Sequence, residues 1–219
     1  MNDRKKNGSS TNGGVVMQPA PTRSAAPPAP PAVAELAEAC IRFVERAVGV
    51  KLDYQPETLP LLDHYLEEAR RLVKEKPEML SIVAQACGAY FGEVVRRRYA
   101  SWWRTEGDDP TEWQIEFEAV FLAFSPVRQV LAVLLRDEEQ GGETGDEEVA
   151  TDMAQLTLDE EDRAAVYARL ADLPPVSEKE FCAPSTRLEV IDIAVEAIQS
   201  KRLAEGEETE ARFSPDDYE

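Results

Sequence analysis

Between Met79 and Leu135 the hydrophobic period changes from helical to strand-like and back to helical. Apolar residues three to four apart bury one side of a helix, whereas strict alternation buries one face of a strand. A chain that makes both switches within one short stretch must pack a sheet against helices. The first helix of this stretch opens near Pro77 and carries Leu80, Val83, Cys87, Tyr90 or Phe91, and Val94 at helical spacing. Gly88 and Gly92 lie one turn apart in it. Interior glycine costs about 1 kcal/mol against alanine, so the pair predicts close approach of another backbone.

After Ala100 the period shortens. Trp102-Trp103-Arg104 reads as a short strand, and Trp113, Ile115 and Phe117 alternate with polar residues as a second. Val120 to Phe124 forms a third, joined to the second by a two-residue break at Glu118-Ala119. Ser125-Pro126 supplies an N-cap and first-turn proline for a helix with Val127, Val130, Leu131 and Leu134 inside. The expected fold is α+β, predominantly helical, with a small antiparallel sheet of two or three strands packed on helices. Trp113, Ile115 and Phe117 should share a core with Val83, Cys87, Tyr90 and Val94.

Upstream, Leu36, Cys40, Phe43 and Ala47 mark a helix starting at Ala34 and ending at Gly49. Val50 to Tyr54 reads as extended, and a second helix opens near Pro56 or Glu57 with Leu59, Leu62, Leu66, Ala69 and Val73 inside. Downstream, Thr157 and Glu160 have capping-box spacing ahead of a helix with Val166, Leu170 and Leu173 inside, stopped by Pro174-Pro175. Thr186 and Glu189 repeat that spacing before a last helix lined by Leu188, Ile191, Val195 and Ile198. Three regions follow. Residues 1–33 are a disordered Pro/Ala-rich arm, read as a spacer, with a docking ligand for a Pro-recognising partner as the alternative. Residues 34–204 are one α+β domain with an acidic loop at 137–150, and residues 205–219 are an acidic disordered tail.

Charge narrows the partners. Arg4, Lys5, Lys6 and Arg23 oppose only Asp3 in the arm, which leaves 20 bases and 42 acids elsewhere, a net charge of −22. Such a body repels phosphate backbones and anionic lipid. Nucleic acid is disfavoured, and a protein partner with a basic surface is expected. The beginning of the chain carries no apolar leader, and no apolar run approaches the ~18 residues of a bilayer span. No membrane association and a cytoplasmic location are expected; the oligomeric state is left open.

Chemistry is hard to place in these residues. His64 is the only histidine, beside the Leu62/Leu66 stripe, and reads as structural. Cys40, Cys87 and Cys182 have no metal-ligand spacing and read as reduced, with Cys40 and Cys87 acting as small hydrophobes on helical stripes. There is no phosphate-binding glycine loop, zinc-protease motif, nucleophile elbow or calcium loop, so no catalytic residue, metal or cofactor is expected. Arg96, Arg97 and Arg98 with Trp102 and Trp103 form the one basic-aromatic cluster of the body. They are candidate partner-binding residues, or else a helix end whose arginines offset the dipole. Glu93 stands four residues before Arg97, the spacing of an intrahelical ion pair. Asp137, Glu138, Glu139, Glu147 and Glu148 belong to a stretch of seven acids and are candidate steering charges for a partner. Two functions are carried forward. One is a non-enzymatic interaction protein, adaptor or immunity-like. The other is an enzyme or small-ligand-binding domain using carboxylates near the arginine cluster.

At Ala86-Cys-Gly-Ala-Tyr-Phe-Gly-Glu-Val-Val-Arg-Arg-Arg, then Trp102-Trp103 and Phe124-Ser125-Pro126, the chain resembles a loose group of small bacterial domains of unknown function. Leu52-Asp-Tyr-Gln-Pro-Glu-Thr-Leu matches the lead-in to their leucine-rich helix. The resemblance spans about residues 34–135 and rests on packing residues. It implies the fold and brings no catalytic residue or cofactor.

Overall fold

Helix α3 (Met79–Arg98) is the element against which the three other helices of the first 136 residues and the first strand are packed. From Val83 to Val95 every residue but Gln85 is buried, including Glu93. A helix apolar on all sides needs partners on all sides, and α3 has them. In the computed structural model, which describes residues 27–136, 155–174, 176–206 and 212–219, helices α1 (Pro31–Val48) and α4 (Pro126–Leu135) lie along it. Helix α2 (Leu59–Glu75), entered through a short 3-10 turn at Pro56–Thr58, touches α1, α3 and α4. Helices α5 (Glu160–Ala171), α6 (Glu178–Cys182) and α7 (Pro184–Glu205) complete the helical layer, with α5 and α2 both against α7.

The sheet is antiparallel throughout, in the order β1 (Ser101–Arg104), β2 (Gln114–Phe117), β3 (Leu122–Phe124), β4 (Thr157–Leu158). Its register sets Trp103 opposite Ile115, Ile115 opposite Phe124, and Leu122 opposite Leu158. Trp113, Ile115 and Phe117 belong to the same buried cluster as Val83, Cys87, Tyr90 and Val94, as their alternation predicts. The fold is α+β and mostly helical, with a fourth strand beyond the two or three expected. Two residues are too few to show a period, so β4 had no signature in sequence.

The paired glycines work as their spacing implies. A Cβ on Gly88 would stand 2.6 Å from the Cα of Val127, so α4's first turn rests directly on α3's backbone. A Cβ on Gly92 would meet the Trp103 indole and the Pro126 ring. The Ser125 hydroxyl accepts the Arg128 N–H at the start of α4, and Gly49 takes the left-handed C-cap of α1 with φ +79°. All three cysteines are buried, and none is in a disulfide. Cys40 and Cys87 meet where α1 crosses α3, Sγ to Sγ at 3.8 Å, and burial pushes the Cys40 thiol well above its ordinary range.

Several boundaries differ from expectation. Helix α1 begins at Pro31 rather than Ala34, because Val33 is fully buried against the core and proline is tolerated in a first turn. Tyr54 is left-handed, φ +64°, rather than extended. Strand β3 starts at Leu122, which leaves a four-residue connection, Glu118 to Phe121, in place of a two-residue turn. Thr157 pairs with Ala123 in the sheet and caps nothing; the N-cap of α5 is Asp159. Thr186 lies inside α7, whose N-cap is Ala183. A capping box does occur at Ser177 and Glu180, opening α6, where no long apolar stripe follows to reveal it. Residues 212–219, expected to be part of a disordered tail, instead form a 3-10 turn at Pro215–Tyr218 that lies on the β2–β3 connection. Phe213 and Tyr218 provide apolar area that a count of acids does not register. The arm up to residue 26 and the loop residues 137–150 lie outside the described residues. Among the described residues no helix is long and apolar enough to cross a membrane.

Candidate functional site

The C-terminal end of α3 brings the arginine–tryptophan cluster together around one buried carboxylate. Arg96 donates Nε to Glu93 Oε1 at 2.7 Å and Nη2 to Oε2 at 2.9 Å, a bidentate pair. Trp103 Nε1, reaching across from β1, donates to the same Oε1 at 2.9 Å, and Arg97 Nε lies 3.6 Å from Oε2. Burial by itself would raise the Glu93 carboxyl. The hydrogen bonds from Arg96 and Trp103, with both guanidinium charges, outweigh it and hold the group below the usual carboxylate range. Glu93 is therefore ionised and engaged, a poor general acid.

The remaining donors are also engaged. Arg96 Nη1 donates to the carbonyl of Pro27 at 2.9 Å, which ties the end of the arm to α3. The Arg97 guanidinium lies 3.5 Å from the centroid of the Tyr54 ring, whose other neighbour is Tyr90, stacked at 5.0 Å. Arg98 grips Asp192 of α7 with two bonds of 2.8 Å, and the Tyr99 hydroxyl donates to the same carboxylate. Trp102 Nε1 donates to the buried Glu116 at 2.7 Å, and Arg104 Nε lies 2.8 Å from the other oxygen of that carboxylate. Burial raises the Glu116 carboxyl, although the Trp102 bond and the Arg104 charge oppose it.

Each member of the cluster thus joins two elements of the chain. Trp103 is buried, Trp102 and Arg96 are mostly covered, and only Arg97 and Arg98 keep side chains more than 40% exposed, 45% and 42%. The geometry supports the helix-end reading: the arginines offset the negative end of the α3 dipole and brace the fold. Asp137, Glu138, Glu139, Glu147 and Glu148 lie outside the described residues.

A second cluster was not legible in sequence. A cleft of about 170 Å³ lies between α2 and the α6–α7 junction, with Asp63, His64, Glu67 and Lys179 among its walls. Asp63 accepts the Ser185 N–H at 3.2 Å and its hydroxyl at 2.5 Å. Burial nonetheless pushes the Asp63 carboxyl up to about 6, with Glu67 adding to the rise. Glu67 is held by Arg136 at 2.6 Å and Lys179 at 3.3 Å. His64 is exposed and turned to Glu68, with Nε2 3.6 Å from a carboxylate oxygen. The cleft can exchange a proton near pH 6 or hold one small polar molecule. Asp63 and Ser185 are 122 positions apart, and no local pattern announces such a contact. Among the described residues no three His, Cys, Asp or Glu side chains come together as a metal site. No known protein family, curated protein or solved structure matches the chain.

Proposed function

We propose that this chain is a non-enzymatic cytoplasmic interaction protein, of adaptor or immunity type, whose acidic surface steers a protein partner with a basic surface. The observation that carries the reading is how the cations are used. Arg96, Arg97, Arg98, Arg104, Arg136 and Lys201 each sit within 4 Å of a carboxylate of this same chain. With 43 acids and 24 bases, 19 carboxylates have no cation to match them even if every base is paired. That surplus sets the field a partner meets first. The seven acids of residues 137–148 concentrate it, and the Pro/Ala-rich arm suits a tethered adaptor better than a minimal immunity protein.

The test is kinetic. With the partner recovered by affinity capture, the association rate constant should fall steeply between low and physiological salt, because exposed charges are screened beyond about 8 Å. A rate indifferent to salt refutes charge steering.

A second reading, small-ligand binding, is favoured by the Asp63 cleft alone. A metabolite that raises the melting temperature of the wild type near pH 6, and loses that effect in Asp63→Asn, would support it over the first.

A further inference from the structure

Segment 212–219 lies on the fold as a bound peptide lies on a receptor. The hydrophobic core and the partly buried residues packed on it include neither Phe213 nor Tyr218, nor the Phe121 they cover. Helix α7 ends at the left-handed Gly206, and residues 207–211 separate it from the docked segment. Within the segment, Ser214 and Asp217 cap one another, with Asp217 accepting both the Ser214 N–H at 2.7 Å and its hydroxyl at 2.8 Å. The docked peptide thus carries a turn closed by its own side chains.

The contacts divide into anchors and a polar frame. The Tyr218 ring stacks on Phe121, centroids 4.5 Å apart and planes 7° from parallel, and meets Trp102 edge-on at 5.9 Å. Phe213 packs edge-on against Phe121 at 5.6 Å, under the Arg202 guanidinium at 5.2 Å. The Tyr218 hydroxyl sits inside the β2–β3 connection, accepting the N–H groups of Phe117 and Leu122 at 3.2 and 3.1 Å. Its own proton goes to a carbonyl there, the nearest being Phe117 O at 2.8 Å. Arg104 donates to the Tyr218 carbonyl at 3.2 Å, and the Phe213 N–H bonds Glu118 O at 2.7 Å. Two aromatic anchors, a hydroxyl read by backbone groups and two flanking arginines make a specific site.

We infer that the groove formed by Trp102, Phe121, Arg104 and Arg202 is a peptide-recognition site. Its ligand is a segment of another protein with the chemistry aromatic-Ser-Pro-acid-acid-Tyr, and this chain's own residues 213–218 occupy the groove in cis. The site is independent of the charge-steered surface. Arg104 and Arg202 are already paired with Glu116 and Asp162, and Glu118 pairs with Arg212 of the segment. Docking therefore rests on the aromatic anchors and the tyrosine hydroxyl rather than on net charge. Tethering holds the resident segment at an effective concentration on the order of millimolar. An incoming peptide must displace it, and loss of the segment would uncover Phe121 and Trp102 as an aromatic patch.

The test uses the full-length chain carrying Phe213→Ala and Tyr218→Ala, with a labelled, end-blocked peptide of residues 211–219 as probe. Fluorescence anisotropy should show saturable 1:1 binding to the variant at least tenfold tighter than to the wild type. A probe with Tyr218→Phe should bind several-fold more weakly, since it lacks the hydroxyl. The variant's circular dichroism and melting temperature establish that it is folded. Absence of saturable binding to a folded variant overturns the site. Equal binding by wild type and variant also overturns it, because the probe would then be docking elsewhere. A wild-type dimer that dissociates on Tyr218→Ala overturns cis occupancy in favour of exchange between copies.

Discussion

At the scale of single residues, two positions carry testable consequences of opposite kinds. Gly88 is a steric one. Alanine in a helix interior is normally favoured by about 1 kcal/mol over glycine. Here the added methyl would stand 2.6 Å from the Cα of Val127, and backbone cannot step aside as a flexible side chain can. Gly88→Ala should therefore destabilise the chain by roughly 1–3 kcal/mol in urea unfolding. A stabilised variant would mean that α4 does not rest on α3 as described. Asp63 is an electrostatic one. Its carboxyl is raised from 3.8 when solvated to about 6 in the fold, so the folded state binds the proton more tightly than the unfolded chain. The associated stability is fully present below about pH 4 and is lost as pH rises through 6. A rise of that size corresponds to at most roughly 3 kcal/mol. Asp63→Asn cannot titrate, and its amide keeps both partners at Ser185. Its stability relative to wild type should climb between pH 4 and 7 by up to that amount. A difference that stays level across this range would place Asp63 in an ordinary, solvated environment.

At the scale of elements, the informative unit is the sheet on α3. Alternation of Trp113, Ile115 and Phe117 showed which face of β2 meets the core, and the helical stripe showed which helix could cover it. The opposite face, expected in solvent, is instead covered at Glu116, where Trp102 and Arg104 pack on the carboxylate. The strand's own length and partners came from elsewhere. Ile115 is fully buried between Trp103 and Phe124 across the ladder. Ile115→Ala should cost about 2–5 kcal/mol in denaturant unfolding, with the spread set by how far the site can collapse. A loss below about 0.5 kcal/mol would put that face in solvent. The candidate site divides the same way. The i, i+3 and i, i+4 contacts of Glu93 with Arg96 and Arg97 follow from helical spacing, and the ion pair to Arg97 is legible in the sequence. That Trp103 completes the same carboxylate, and that Asp192 takes Arg98, depended on where β1 and α7 come to lie.

At the scale of the whole molecule, the decisive quantity is charge. Neutralising the seven acids of residues 137–148 to Asn and Gln should slow association with the captured partner, while the melting temperature stays nearly unchanged. An unchanged rate would move the steering surface elsewhere on the body. The sequence by itself determined the mixed α+β class, the run of elements from α1 to α4, the close approach at Gly88 and Gly92, and the sign of the field. Each is a property of neighbours along the chain or of a sum over it. Periodicity, local backbone freedom and total charge need no knowledge of distant contacts. Only the tertiary structure decided that β4 joins the sheet, that Asp63 meets Ser185 and that the arginines face the chain's own carboxylates. It also decided that Phe213 and Tyr218 return to the β2–β3 connection. These pairings are made by residues far apart in sequence, and their energy appears only when packing removes water from both partners at once.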